Sequence, residues 1–103
     1  MIKVKIDLNN PEFQKDLFAL EKNDQLALIR VLRKVSNLTW DELYRDQGLK
    51  WEAIISKTTK TNDRIYSFRF SQKYRALALR EEKLLLSTLI KIKEIVAIVE
   101  KLS

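Results

Sequence analysis

The chain has no cysteine and no histidine among its 103 residues. Without cysteine it can form neither a disulfide nor a thiolate metal site, and it has no thiol nucleophile. Without histidine it lacks the commonest zinc ligand and the usual acid/base at neutral pH. Its serines then have no imidazole to activate them, which excludes a Ser-His-Asp hydrolase triad. These absences remove most familiar enzyme chemistries, and we expect no metal and no small-molecule cofactor.

Long apolar runs are also missing. No stretch approaches the roughly 18 consecutive apolar residues that a membrane-spanning helix needs. The opening MIKVKIDLNN alternates apolar and charged residues, where a signal peptide would have an unbroken apolar core. The sequence therefore predicts a cytoplasmic protein with no membrane partner. With 46% hydrophobic and 33% charged residues, it further predicts one globular domain over residues 1–103.

The net charge of +6 is confined to the second half of the chain. Residues 1–48 have eight basic and eight acidic side chains, whereas residues 49–103 have twelve and six. From Lys57 to Arg80 there are seven basic residues against one acid, Asp63. Such asymmetry indicates a polyanionic partner, either nucleic acid or an acidic protein segment. A merely solubilising surface is the alternative.

The first 36 residues predict a strand and two helices. Apolar and charged residues alternate over residues 2–8, which is typical of a strand with one buried face. Asn10 suits an N-cap and Pro11 the first position of a helix. A second helix, capped by Asp24 and running to about Ser36, would complete a helical hairpin. The residues expected to face the core at helical spacing are Phe13, Leu17, Leu20, Leu28, Ile29, Leu32 and Val35.

A short third helix is predicted next, because Thr39 and Glu42 have capping-box spacing. Gly48, the only glycine of the chain, is expected to end it in the left-handed conformation. The aromatic residues of this region are interpreted as core rather than as platforms for stacking bases: Trp40, Tyr44, Trp51 and Phe68.

The second half predicts an antiparallel four-stranded meander, since short apolar segments alternate with short polar links. The predicted strands are Trp51–Lys57, Arg64–Phe70, Tyr74–Arg80 and Lys83–Leu89. A helix is predicted from about Lys93, with a strand ending near Lys93 as the alternative. The fold class is therefore α+β.

Two arginines of the meander are expected to lie side by side. In the predicted strand Arg64–Phe70 the aromatic residues face the core, so that Arg69 is on the outer face, where Arg75 of the next strand can join it. Two guanidinium groups in contact repel by about 1 kcal/mol in water. The pair therefore favours a phosphate or carboxylate between them. Cross-strand pairing with an acid of the same chain is the alternative, the candidates being Glu52, Glu81 and Glu82.

The segment YSFRFSQKYRALAL, preceded by LYRDQGLKWEAI, resembles the RelE/ParE superfamily of bacterial toxins from toxin-antitoxin systems. Its members often have an aromatic residue and an arginine in one strand, a short turn, and Tyr-Arg followed by apolar residues in the next strand. The sequence match covers about residues 43–89. The order of strand, helices and basic meander extends the resemblance to nearly the whole chain.

RelE-like members cleave mRNA in the ribosomal decoding site, by attack of a ribose 2′-hydroxyl on the adjacent phosphate. The resemblance implies a catalytic role for Arg75, Arg69 and Lys93, which would hold the scissile phosphate and neutralise the leaving oxygen. It also implies a ribosome, an mRNA and a cognate antitoxin protein as partners. The further residues expected to bind RNA are Lys57, Arg64, Lys73, Arg80 and Lys91. On this interpretation Arg75→Ala abolishes cleavage while folding persists.

Two other functions stay open. The segment EIVAIVEKLS has neither tyrosine nor histidine where ribonucleolytic members can place one. The general base then stays open among Arg80, Lys73 and Tyr74. A ParE-like toxin that binds DNA gyrase without catalysis would need no such residue. A module that only binds RNA or an antitoxin is the third possibility, with an affinity that falls steeply with salt.

Overall fold

The computed structural model describes residues 2–58 and 64–92, with the backbone alone for residues 55–58. The elements are β1 (Ile6–Asp7), α1 (Pro11–Ala19), α2 (Lys22–Val35), α3 (Trp40–Arg45), β2 (Glu52–Thr58), β3 (Arg64–Arg69), β4 (Tyr74–Arg80) and β5 (Leu84–Lys91). The predicted α+β class is confirmed. The segment from Lys93 onward, predicted as a helix, lies outside the described residues. No helix within the described ranges is long and apolar enough to cross a membrane.

The strands form a five-stranded sheet in the order β1-β5-β4-β3-β2. Strands β2 to β5 are the predicted antiparallel meander, and β1 adds a fifth strand, parallel to β5, at one edge. This first strand has two residues, far fewer than the predicted residues 2–8. The reason is that the chain before it bonds elsewhere: Lys3 bridges to Thr39, and the Val4 amide donates to the Leu38 carbonyl at 2.7 Å.

Helix α1 closes the part of the β5 edge that β1 does not reach. The β1 pairing ends at Leu85, so later amides on that edge need another acceptor. The Leu89 amide donates to Asp16 Oδ2 at 3.0 Å, and the Thr88 hydroxyl donates to the same oxygen. An exposed sheet edge invites pairing with other chains. Asp16 therefore covers this edge with a charged side chain.

Two of the predicted helix starts are confirmed. Asn10 Oδ1 accepts a hydrogen bond from the Glu12 amide at 2.8 Å. At α3, the Glu42 amide donates to Thr39 Oγ1 at 3.2 Å, and the Thr39 amide donates to Glu42 Oε1 at 2.9 Å. The capping box is thus complete.

Two other predictions about helix ends are wrong. Helix α2 has Glu21 at its N-cap, without a side-chain hydrogen bond, and Asp24 lies inside the first turn. Helix α3 ends at Arg45, before Gly48, whose φ is not positive. The left-handed residue is instead Lys50, with φ of 50°. Because glycine is the usual residue in this conformation, the sequence pointed to the wrong position.

The main core lies between the helices and the inner face of the sheet. Two residues predicted to face it do not: Ile29 is 53% exposed and Tyr44 45% exposed. The buried members of this core are Val4, Phe13, Leu28, Val35, Leu43, Leu49, Phe68, Phe70, Ala76, Ala78, Leu84, Leu86 and Leu89.

The outer face of the sheet is apolar through its middle. Ile65, Leu77 and Ile90 form a second buried cluster there, packed with Ile54 and Leu79. Since the middle of the face is occupied by this cluster, the charged side chains of this face that the structure describes lie toward the end where β3 passes into β4.

The side chain of Asp46 links α2 to the loop after α3, and its contacts should make the stability of the fold depend on pH. Its carboxylate contacts Lys34 Nζ at 2.8 Å and accepts from the Leu49 amide at 2.9 Å. The bond from Lys34, with that from Leu49, holds the pKa of Asp46 below its ordinary value, and partial burial opposes this. The stabilisation is therefore present above the unfolded-state pKa and is lost as the pH falls through the lower folded-state pKa.

We expect Asp46→Asn to lower the free energy of unfolding by about 0.5–1 kcal/mol at pH 7. The difference in free energy of unfolding between the variant and the unsubstituted protein should shrink as the pH is lowered from about 5 to 2. At the lower pH the carboxyl group of Asp46 is protonated in the folded as well as in the unfolded chain, and its ionic contacts are lost. Urea unfolding at several pH values measures it. A difference that stays constant over this range would contradict the linkage.

Candidate anion-binding site

Arg69 and Arg75 are direct cross-strand partners. Arg69 ends β3, Arg75 is the second residue of β4, and the register pairs them. Facing residues of an antiparallel pair have their Cβ atoms about 5 Å apart on the same side of the sheet. The predicted adjacency of the two arginines on the outer face is therefore confirmed.

Arg75 is buried and is held by its own chain. Its side chain is 7% exposed. Its Nε donates to Ser67 Oγ at 3.1 Å, and its Nη2 donates to the Lys50 carbonyl at 2.6 Å. Nη2 also lies 3.3 Å from a carboxylate oxygen of Glu52. Two sides of the guanidinium are thus fixed, and Nη1 donates to no atom of the described residues.

The groups that hold Arg75 depend on local backbone geometry. The Arg69 amide donates to the Leu49 carbonyl at 2.7 Å, which ties the segment before β2 to the end of β3. The next residue, Lys50, is left-handed, a conformation that costs a non-glycine residue about 1–2 kcal/mol. Its carbonyl accepts from Arg75 Nη2, a charge-assisted bond of the stronger kind. Ser67, 0% exposed, supplies the second acceptor.

Arg69 is half-buried and differently placed. Its Nε is buried and has no hydrogen-bond partner within the described part of the chain. An unsatisfied buried donor costs about 1–3 kcal/mol, and more when it is charged. Among residues 2–58 and 64–92 no acid forms an ion pair with Arg69. Such a donor calls for an acceptor beyond the described residues, for which a water molecule or a bound anion would serve.

The predicted alternative, an ion pair between the two arginines and acids of the same chain, is found for Arg75 but not for Arg69 among the described residues. Glu52 pairs with Arg75. Glu81 and Glu82 follow Arg80 at the opposite end of β4, about 17 Å along the strand from Arg75. Two guanidinium groups and one carboxylate therefore share this end of the sheet. The local charge remains positive.

The charge state of Arg75 reflects this crowding. Burial lowers the pKa of Arg75 from its ordinary value, the Glu52 carboxylate raises it, and the neighbouring Arg69 lowers it further. Arginine nevertheless stays protonated in proteins. The remaining positive charge can thus be compensated by an anion but not by loss of a proton.

Two lysines extend the positive charge at the same end. Lys73 lies in the turn between β3 and β4. Lys91 pairs with Tyr74 at the end of β5, so that by strand alternation its side chain leaves the sheet on the face opposite to Arg75. Together with Gln72 and Ile92 they line a depression of about 390 Å³. Both lysines are exposed. We call Arg69, Lys73, Arg75 and Lys91 the basic end of the sheet.

Arg64 and Arg80 are not brought to the basic end, and the placement of the Lys57 and Lys93 side chains lies outside what the structure describes. Arg64 begins β3, about 17 Å from Arg69 along the strand. Arg80 lies over the Trp40 ring, 4.1 Å from its centroid, and donates to the Tyr44 hydroxyl at 2.8 Å. Lys57 is in β2, but its side chain is not described. Lys93 lies outside the described residues.

The aromatic residues form a stacked row rather than an open platform. Trp51 and Tyr66 are stacked with centroids 4.8 Å apart, and Trp51 and Tyr44 are stacked at 5.7 Å. Phe68 is fully buried, as predicted, and Tyr44 is the exposed end of the row. Burial and the hydrogen bond with Tyr44 raise the pKa of Tyr66. Tyr66 pairs with Ala78 of the main core, so that its side chain lies on the inner face, away from the arginine pair.

The sequence interpretation missed three features of the site. Ser67 was given no role in the site, although a small polar residue inside an apolar strand indicates a buried hydrogen bond. The role of the Lys50 carbonyl as an acceptor could not be predicted from the sequence, because every residue has a backbone carbonyl. The burial of Arg75 was missed as well. In the described ranges no cluster of three acidic side chains is suited to hold a metal ion.

Comparison with known proteins gives one similar structure. No protein-family model matches the chain, and no curated protein matches it significantly. Among solved structures, that of a copper-bound mutant toxin from Helicobacter pylori is similar, with a TM-score of 0.49 and 20% sequence identity. The similarity covers 91% of this chain and 98% of that toxin. At this identity it assigns neither an activity nor a partner to this chain.

Proposed function

We propose that this protein is a RelE-like toxin that binds RNA phosphate at the basic end of the sheet and inhibits translation by ribosome-dependent mRNA cleavage. The observation that carries the proposal is the facing pair of Arg69 and Arg75. One carboxylate, that of Glu52, lies beside Arg75, and the buried Nε of Arg69 has no partner among the described residues. The sequence resemblance of residues 43–89 to RelE-like toxins supplies the reaction type.

The proposed reaction needs positive charge more than it needs a metal or histidine. The ribose 2′-oxygen bonds to phosphorus, the bond from phosphorus to the 5′-oxygen of the next nucleotide breaks, and that oxygen takes a proton as the 2′-hydroxyl loses one. Negative charge grows on the phosphate oxygens during this step. Arg69 would donate to these oxygens, while the fixed guanidinium of Arg75 adds the second charge. A single preorganised donor of this kind contributes about 10²–10³-fold.

The positive charge of the basic end also suggests roles for the exposed lysines and the kind of partner that would bind there. Lys73 and Lys91 would contact neighbouring phosphates of the mRNA, which adds affinity without sequence preference. Lys93 stays a proposed neutraliser of the leaving oxygen. At rest, an antitoxin segment with carboxylates would cover the basic end, because such a segment is complementary to it in charge.

The test is 5′-end mapping of a reporter mRNA during cell-free translation with the purified protein. Cuts that appear only when ribosomes translate the message are the expected result. The same RNA without ribosomes is the control, since a nonspecific nuclease would cut it equally. Uncut mRNA and normal translation would overturn the proposal.

A second function is favoured by the way Arg75 is held. Its Nε and Nη2 already bond to Ser67, Lys50 and Glu52, which leaves fewer of its donors for a reacting phosphate. Such an arrangement suits binding without cleavage, as in the ParE-like inhibition of DNA gyrase. A supercoiling assay with purified gyrase distinguishes the two functions. Inhibited supercoiling together with intact mRNA would favour the binding function.

A further inference from the structure

Glu52 is the exposed member of the site. It opposes Ser67 across β2 and β3, on the same face as the arginine pair. Its carboxylate lies 3.3 Å from Arg75 Nη2. The Glu52 side chain is 61% exposed, whereas that of Arg75 is 7% exposed. The acid is therefore the solvent-facing partner of a buried cation.

We propose that Glu52 is a built-in counter-ion that occupies the anion site when it is empty and competes with an incoming phosphate. This inference rests on the proposed phosphate-binding function of Arg69 and Arg75. Glu52 would touch no reacting atom. It is a positioning residue that sets how tightly the basic end holds a phosphate.

Arg75 does not need Glu52 to keep its position. The Lys50 carbonyl at 2.6 Å and the Ser67 hydroxyl at 3.1 Å already fix two of its nitrogens. The contact with Glu52 is the longest of these three. Ion pairs with an exposed partner contribute little to stability, because water solvates the released charge well. The carboxylate can therefore leave while the guanidinium stays fixed.

A phosphate and Glu52 carry charge of the same sign close to the same guanidinium. With Glu52 ionised, the two arginines and this acid have a net charge of +1, and without it +2. A unit charge acting at about 4 Å in water changes an affinity about fivefold. Removal of the Glu52 charge should therefore tighten phosphate binding by about three- to tenfold, and less at high salt.

The experiment compares Glu52→Gln with a matched control. Glu81→Gln removes the same charge at the far end of β4. Dissociation constants are measured for a fluorescent 5′-phosphorylated RNA tetranucleotide and for inorganic pyrophosphate, at 0.05 M and 0.5 M salt. Circular dichroism confirms that each variant folds, and Glu52→Asp tests whether restoring the charge restores the weaker binding. Arg69→Ala is measured alongside to test the site itself.

We expect Glu52→Gln to bind both probes three- to tenfold more tightly than the unsubstituted protein at low salt, with the gain reduced at high salt. Glu81→Gln should change binding less than twofold. If binding depends on Arg69 but Glu52→Gln changes nothing or weakens it, the counter-ion inference is wrong and the phosphate site stands. If neither the unsubstituted protein nor Glu52→Gln binds either probe, both the site and the inference are wrong. If Glu52→Gln binds a probe that the unsubstituted protein does not bind, Glu52 blocks the site completely, which would support the inference most strongly.

Discussion

Arg69→Ala is expected to lose about 100-fold or more of the ribosome-dependent cleavage rate while the protein stays folded. The buried Nε of Arg69 has no partner in the described ranges, so that its removal breaks no hydrogen bond there. A donor aimed at the oxygens where charge develops contributes about 10²–10³-fold. Initial rates of reporter cleavage during translation measure the effect. The melting temperature should stay within a few degrees, since one unsatisfied donor is removed.

Arg64→Ala is the matched control for this prediction. Arg64 is an exposed arginine of the same strand, and its removal changes the net charge by the same amount. If the rate depends on total charge alone, both variants will be equally slow. If it depends on the Arg69 position, Arg64→Ala will cleave at least about tenfold faster than Arg69→Ala, because Arg64 lies about 17 Å away along the strand and would supply only a distant RNA contact. Equal losses in the two variants would remove Arg69 from the catalytic role.

Arg75→Ala is expected to lose both activity and stability, by about 2–3 kcal/mol in the free energy of unfolding. The side chain is 7% exposed, and its removal leaves a cavity together with the Ser67 hydroxyl and the Lys50 carbonyl unpaired. Each buried polar group left without a partner costs about 1–3 kcal/mol, partly offset because a buried charge is removed too. Urea unfolding measures the loss.

This result would revise the expectation that Arg75→Ala leaves the fold intact. Arg75→Lys separates the two roles, because lysine keeps the charge but cannot donate to Ser67 and Lys50 in the same fork. If a folded Arg75→Lys variant cleaves at more than about a tenth of the normal rate, the positive charge at this position is sufficient for activity without the forked hydrogen bonds of arginine. Unchanged stability of Arg75→Ala would mean that the observed hydrogen bonds contribute nothing.

The sequence predicted those parts of the fold that depend on neighbours in the chain. The helix caps at Asn10 and at Thr39 with Glu42 are hydrogen bonds between residues no more than three positions apart. A short stretch of sequence is therefore enough to predict them. The facing of Arg69 and Arg75 was predictable for a similar reason, because the short turn between β3 and β4 sets the register. Capping, alternation and short turns were sufficient for the order of the elements.

The parts that failed depend on contacts between distant segments. Val4 bonds to Leu38 and so shortens β1, which no local pattern indicates. The burial of Arg75 follows from the left-handed Lys50, 25 residues earlier. Sequence patterns favour glycine for that conformation. A strained backbone that is held by tertiary contacts is therefore invisible to them.

The stacked aromatic row also determines what the intrinsic fluorescence of this protein can report. Trp51 lies in that row, and Trp40, the other tryptophan of the chain, packs edge-on against it with ring centroids 6.2 Å apart. Their emission therefore follows the packing of α3 on the segment before β2 and on β3, and through Trp40 also its contact with the segment before β1. Fluorescence and far-ultraviolet circular dichroism would give the same unfolding midpoint only if the whole domain opens in one cooperative step. A difference between the two midpoints would show that the edges of the sheet separate independently.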